Sequence, residues 1–207
     1  TGLAGAHVYL ADAYVSPIEA YPKARTAAEA ALMIDDRLAE AHALAAYATF
    51  TLDWTPEGRQ RDEDGFRRAL QLDQNSFQSL FFDSDFRCNR GQFDLGLAEL
   101  ERAARLDPLS PFPAYVKSLC NYLARRYSPT IEANKEMVPI DPTFAYIDSW
   151  VGGAYRELGD YSSAIREYLA NEKRLDGAPQ YGLALTYVRM GREKDARDVM
   201  RRMDERA

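Results

Sequence analysis

Cysteine, histidine and tryptophan are scarce in this 207-residue chain, with two of each. Cys88, Cys120, His7 and His42 offer no paired ligand spacing of the kind zinc requires. No Gly-rich loop closes on Lys-Ser or Lys-Thr, so a phosphate cradle is excluded too. Apolar runs are short: the longest, Ala41 to Leu52, falls below the ~18 residues that span a bilayer. Positive charge is outweighed, with 26 Lys and Arg against 32 Asp and Glu. The net charge of −6 excludes the clustered basic footprint that reads a phosphate backbone, and Arg125-Arg126 and Arg201-Arg202 are too short to restore it. Asp62-Glu63-Asp64 is a like-charge run, which reads as a solvated helix face and not as a catalytic dyad. No enzyme, cofactor or metal is expected.

What is present is repetition. A phrase returns at Gly91-Gln92-Phe93, Arg125-Arg126-Tyr127, Gly159-Asp160-Tyr161 and Gly191-Arg192-Glu193, with steps of 34, 34 and 32 residues. Such a period marks stacked supersecondary units, each unable to bury its apolar face alone. Between breakers, apolar residues recur at helical spacing, and no period-2 strand pattern is found, so the chain should be all-α. Asp107-Pro108 and Asp141-Pro142 are expected to end helices, because the residue before proline is pushed out of the helical region.

Anchoring the register on Gly91 and Pro108 gives about six antiparallel helix pairs in a single array, over residues 3–36, 37–74, 77–110, 111–144, 145–176 and 177–207. A longer turn is expected around Asp53-Trp54-Thr55-Pro56. Helices of a hairpin pack closely only where small residues cross. The predicted crossing position on the first helices holds Ala11, Ala46, Ser84, Ser118, Gly152 and Ala184. Opposite them stand Ala24, Gly96, Thr130, Ala164 and Ala196, with Asp62 as the one anomaly. Gly152-Gly153 is assigned to helix packing, as are His7 and His42 at large packing positions. Cys88 and Cys120 are read as small half-buried thiols, a bridge between them being sterically open but unsupported.

These residues resemble the tetratricopeptide repeat. The match lies in Val151-Gly152-x-x-Tyr155 with Ala164 and Tyr168, in Leu183-Ala184-x-x-Tyr187 with Ala196 and Met200, and in Gly96, Leu100, Ala103 and Pro108. It covers nearly the whole chain. The N-terminal half, with Leu10-Ala11-Asp12-Ala13-Tyr14 and Tyr21-Pro22-Lys23-Ala24, looks like a subfamily found in bacterial regulatory proteins, where such arrays often follow a DNA-binding or kinase domain. The start at Thr1-Gly2, without Met, fits a segment of a longer chain. The resemblance implies a right-handed α-solenoid that holds a peptide or partner protein, with nothing catalytic in the pattern. The Lys and Asn pair with which some members clamp a terminal carboxylate is not found at the matching positions.

In such an array the first helices line a concave groove. The register projects into it Tyr47, Phe50, Phe81, Asp85, Phe112, Tyr115, Tyr122, Tyr146, Arg156 and Tyr181, with Glu40, Gln78, Ser149 and Arg189 beside them. Tyr and Phe make effective anchors, offering large contact areas at low rotamer cost. One departure from the pattern is doubled: apolar positions hold Asp83 and Arg87, then Lys117 and Asn121, 34 residues apart. If buried, these groups must satisfy one another, and a polar cluster spanning the third and fourth repeats is expected. The expected partner is a protein or peptide, without nucleic acid or membrane, and self-association is a further candidate. The alternative is a regulatory module of a larger bacterial protein that binds a small ligand or self-associates. The compartment is left open, the cytoplasm being the favoured expectation.

Overall fold

The computed structural model describes residues 1–11, 15–141, 144 and 149–206, which form twelve helices and, among the described residues, no β-strand. The chain divides into two compact units, Thr1–Pro108 and Leu109–Ala207. The first contains α1 (Gly2–Leu10), α2 (Pro17–Ile34), α3 (Ala39–Phe50), α4 (Pro56–Leu72), α5 (Phe77–Asn89) and α6 (Phe93–Leu106). The second contains α7 (Phe112–Leu123), α8 (Tyr127–Met137), α9 (Ser149–Glu157), α10 (Tyr161–Arg174), α11 (Tyr181–Arg189) and α12 (Glu193–Asp204). Consecutive helices pair, and successive first helices touch, α1 with α3 with α5 and α7 with α9 with α11. The fold is an all-α solenoid of helix pairs.

The returning phrase is the turn that closes each pair. Just past α5, α7, α9 and α11 the backbone adopts positive φ, at Gly91 (75°), Arg125 (58°), Gly159 (82°) and Gly191 (71°). The next N–H then reaches back into the helix: Gln92 to the Arg87 carbonyl at 2.9 Å, Arg126 to Asn121 at 2.8 Å, Asp160 to Tyr155 at 3.0 Å and Arg192 to Tyr187 at 2.9 Å. This Schellman closure satisfies carbonyls that a helix end otherwise leaves orphaned, and it selects glycine because a Cβ is disfavoured there. Arg125 is the exception. Arg125→Gly is therefore expected to stabilise the second unit by about 0.5–1 kcal/mol, read as a rise in urea midpoint.

Three helix starts are fixed by side-chain caps. Thr55 accepts from the Gly58 N–H at 3.1 Å ahead of Pro56, Ser76 from Ser79 at 3.2 Å, and Asp160 from Ser163 at 3.0 Å. The longer turn between α3 and α4 spans residues 51–55 and is tied by Asp53, which accepts from the Thr55 hydroxyl at 2.6 Å and N–H at 3.0 Å, and from Arg61 at 3.0 Å. Those bonds, the Thr55 hydroxyl foremost, hold the Asp53 carboxyl down at about 2. Helix α6 ends at Leu106, just before Asp107-Pro108, but α8 ends at Met137 and not at Asp141. The reason is Pro139, which has no N–H to continue the ladder.

All twelve crossing residues are buried. Glycine is required at two of them: a Cβ on Gly96 would stand 2.9 Å from the Ser84 carbonyl oxygen, and one on Gly152 would stand 2.8 Å from the Tyr168 ring. Around these contacts Leu44, Phe66, Leu80, Phe82, Phe86 and Leu100 fill the first unit, and Val116, Met137, Val151, Tyr168, Leu183 and Val199 the second. Each large apolar side chain so buried contributes roughly 1.5–3 kcal/mol. Cys88 and Cys120 are fully buried and neither is a free thiol, which corrects the half-buried pair expected from the sequence. His7 and His42 are only half-buried, and His42 turns Nε2 to the Asp36 carbonyl at 2.8 Å.

Candidate partner-binding surface

On the first helices of the first unit, the projected residues hold one another. The Tyr47 hydroxyl donates to Asp85 Oδ2 at 2.8 Å, and Asn89 Nδ2 donates to Oδ1 at 2.9 Å. Burial pushes the Asp85 carboxyl up to about 6 against the opposing effect of those two bonds. Phe50 and Phe81 are each 6% exposed. Phe50 packs on Tyr47, Trp54 and Phe86, and Phe81 on Phe77 and Phe82, with ring centroids 5.1–6.2 Å apart. These rings build the wall more than they project from it. Gln78, with its amide turned to donate, lies 3.1 Å from both carboxylate oxygens of Glu40.

In the second unit the row is more open. Phe112 and Tyr115 are half-buried and meet Phe144 edge-on, at 5.3 and 5.7 Å. Tyr122 packs on Tyr127 and Trp150, over a flat patch made by Gly153, where a Cβ would come within 2.9 Å of its ring. Arg156 ties the row to the second helix of its pair, donating to the Tyr122 hydroxyl at 3.2 Å, the Tyr168 hydroxyl at 3.3 Å and Glu157 at 3.1 Å. Burial pushes the Tyr168 phenol up to about 12. Tyr181 is 55% exposed and borders an open cleft of about 430 Å3, whose other walls include Leu185, Val188 and Met200. Tyr146 lies outside the described residues.

The four polar residues at apolar positions find partners within their own helix pairs. Arg87 donates to Asp83 Oδ2 from Nε and Nη2 at 3.1 and 3.0 Å, to Glu99 at 3.1 Å and to Gln92 at 3.0 Å. Asp83 is completely buried, and its carboxyl faces that of Glu99, which when protonated donates to it. One guanidinium thus serves two carboxyls. Burial, then the charge of Asp83, pushes Glu99 up to about 8, and burial also raises Asp83. Lys117 reaches both oxygens of Glu136 at 2.9 Å, and Asn121 donates to the Lys117 carbonyl at 2.9 Å. The sequence reading missed Glu99, although its place between Gly96 and Ala103 on the buried stripe of α6 marks it. It also missed Tyr168 as the partner of Arg156, because the repeat pattern assigns that ring to packing alone.

No family model and no curated protein sequence matches the chain. Solved structures do match at the level of fold. PilW, a widely conserved type IV pilus biogenesis factor, superposes with a TM-score of 0.76 at 17% identity over 99% of this chain and 94% of its own. TTC0263, a thermophilic tetratricopeptide protein of Thermus thermophilus, gives 0.67 at 17% over 80% and 91%. YrrB, a tetratricopeptide protein described as having an unusual peptide-binding site, gives 0.56 at 13% over 86% and 91%. The chain has the tetratricopeptide-repeat fold.

Proposed function

We propose that the chain is a non-catalytic scaffold that holds a peptide or a segment of a partner protein along the first helices of its second unit. One observation carries this reading. Tyr115 and Tyr181 occupy equivalent positions, three residues before the crossing residues Ser118 and Ala184, and both keep ring surface open to solvent. Phe81, the one aromatic at an equivalent position in the first unit, is instead walled in. Aromatic rings offer large contact area with little rotamer entropy to lose, and tyrosine adds a hydroxyl for a peptide backbone. Arg156, braced by Tyr122, Tyr168 and Glu157, keeps a fixed positive charge on the same row.

The test is a displayed peptide library panned on the chain. Selected peptides are expected to lose at least about tenfold in affinity for a Tyr115→Ala/Tyr181→Ala variant, while helicity and melting stay unchanged. Peptides that bind the variant as tightly as the parent would move the site off this face.

A further inference from the structure

We infer that the crossing of α3 and α4 is a binding site for a small zwitterion of the α-amino-acid type, anchored by Asp62. This goes beyond the scaffold reading, because the site lies in the first unit and involves none of the residues proposed to hold a peptide. Five of the six helix pairs place a small residue or Thr130 at this point on the second helix, and only this pair places a carboxylate there. Asp62 is 1% exposed, and neither of its oxygens has a hydrogen bond. An ionised carboxylate so placed costs several kcal/mol unless something meets it, and a helix crossing has no structural need of one.

The carboxylate borders a cavity of about 120 Å3, open to solvent on one side and lined by residues of α2, α3 and α4. At roughly 30 Å3 per water, that is space for a molecule of a few heavy atoms. Thr49, 5% exposed, lines the same cavity, and its hydroxyl proton is used on the Ala45 carbonyl at 2.8 Å, leaving the oxygen free to accept. The inner end therefore presents acceptors. The rim is wet and built of two ion pairs: Arg25 and Arg61 have about half their side-chain surface exposed, Arg25 paired at 2.7 Å with Glu29, which also lines the cavity, and Arg61 with Asp53 at 3.0 Å. Arg61 comes no nearer to Asp62 than 3.8 Å, beyond a hydrogen bond, and both guanidiniums keep donors to spare.

That polarity selects the ligand. An anion would meet the Asp62 carboxylate, and a plain cation would leave the spare guanidinium donors of the rim unmet. A short molecule with an ammonium at one end and a carboxylate at the other satisfies both ends. Its ammonium would donate to Asp62 and Thr49, and its carboxylate would accept from Arg25 and Arg61.

The experiment is an amide-resolved NMR titration of the full chain at pH 7.5 with glycine, L-alanine, methylammonium or acetate. Glycine or L-alanine is expected to shift the amides of Thr49 and Asp62 saturably, with methylammonium and acetate at least tenfold weaker and Asp62→Ala unresponsive. The fold of Asp62→Ala is secured by its melting, which should rise because alanine is what Ala24, Ala164 and Ala196 supply at this crossing. Failure of both amino acids to shift these amides, an equal response from Asp62→Ala, or saturation by methylammonium alone would each overturn the assignment.

Discussion

Replacing Arg87 with methionine is expected to destabilise the first unit by about 3–5 kcal/mol. Among the described residues Arg87 is the cation bonded to both Asp83 and Glu99, and Asp83 has no solvent to turn to. Methionine preserves much of the stem's packing but leaves two buried carboxyls facing each other without a guanidinium. One can take up a proton; the other must stay ionised in a poor dielectric or also be neutralised at the expense of its pKa. Adding Asp83→Asn and Glu99→Gln to Arg87→Met removes the charge problem and should return a large part of the loss. Urea denaturation of the single and triple variants reads the difference directly. A loss under about 1 kcal/mol for Arg87→Met would mean that the carboxyls reach water in solution.

The melting temperature should be highest near pH 4 and fall as the pH rises to 8. Four carboxyls of the first unit have pKa values raised by burial: Asp62 and Asp85 to about 6, Glu99 to about 8, and Asp83. A group that binds its proton more tightly when folded gives stability that is fully present below its unfolded pKa and is lost as pH rises through its folded value. For Asp62 and Asp85 the window runs from about 4 to about 6, and a shift of that size corresponds to roughly 2–3 kcal/mol each. For Glu99 it extends to about 8. The exposed groups Asp53, held at about 2, and Asp160, also lowered, act oppositely, so stability falls again below about pH 4. Asp62→Asn should flatten the decline between pH 4 and 6, and Glu99→Gln the decline between 6 and 8. A profile level from pH 5 to 8 in the parent would contradict the burial of these acids.

The repeat is legible in the sequence because its turn has a strict backbone demand. Positive φ calls for glycine, so Gly91, Gly159 and Gly191 recur where the chain must close, and Arg125 aligns with them by spacing alone. The crossings are legible for a similar reason, since a side chain at Gly96 would strike backbone. The inner face is harder. Whether a projected ring stands free depends on its neighbours on other helices, and those are not written in its own repeat. Phe50 is sealed by Trp54 and Phe86, whereas Tyr181 at the last first helix keeps its surface. Asp83 and Arg87 pair at a spacing of four that the sequence displays, but their third member, Glu99, comes from the facing helix. Asp62 stands out in the sequence only as an irregularity; its cavity needs three helices to exist.

Binding along the first helices of the second unit is tested most directly by hydrogen exchange on the chain with and without a selected peptide. Added protection is expected on α7, α9 and α11, centred on Tyr115 and Tyr181, with α8, α10 and α12 unchanged. Protection confined to α8, α10 and α12, or to the first unit, would contradict it.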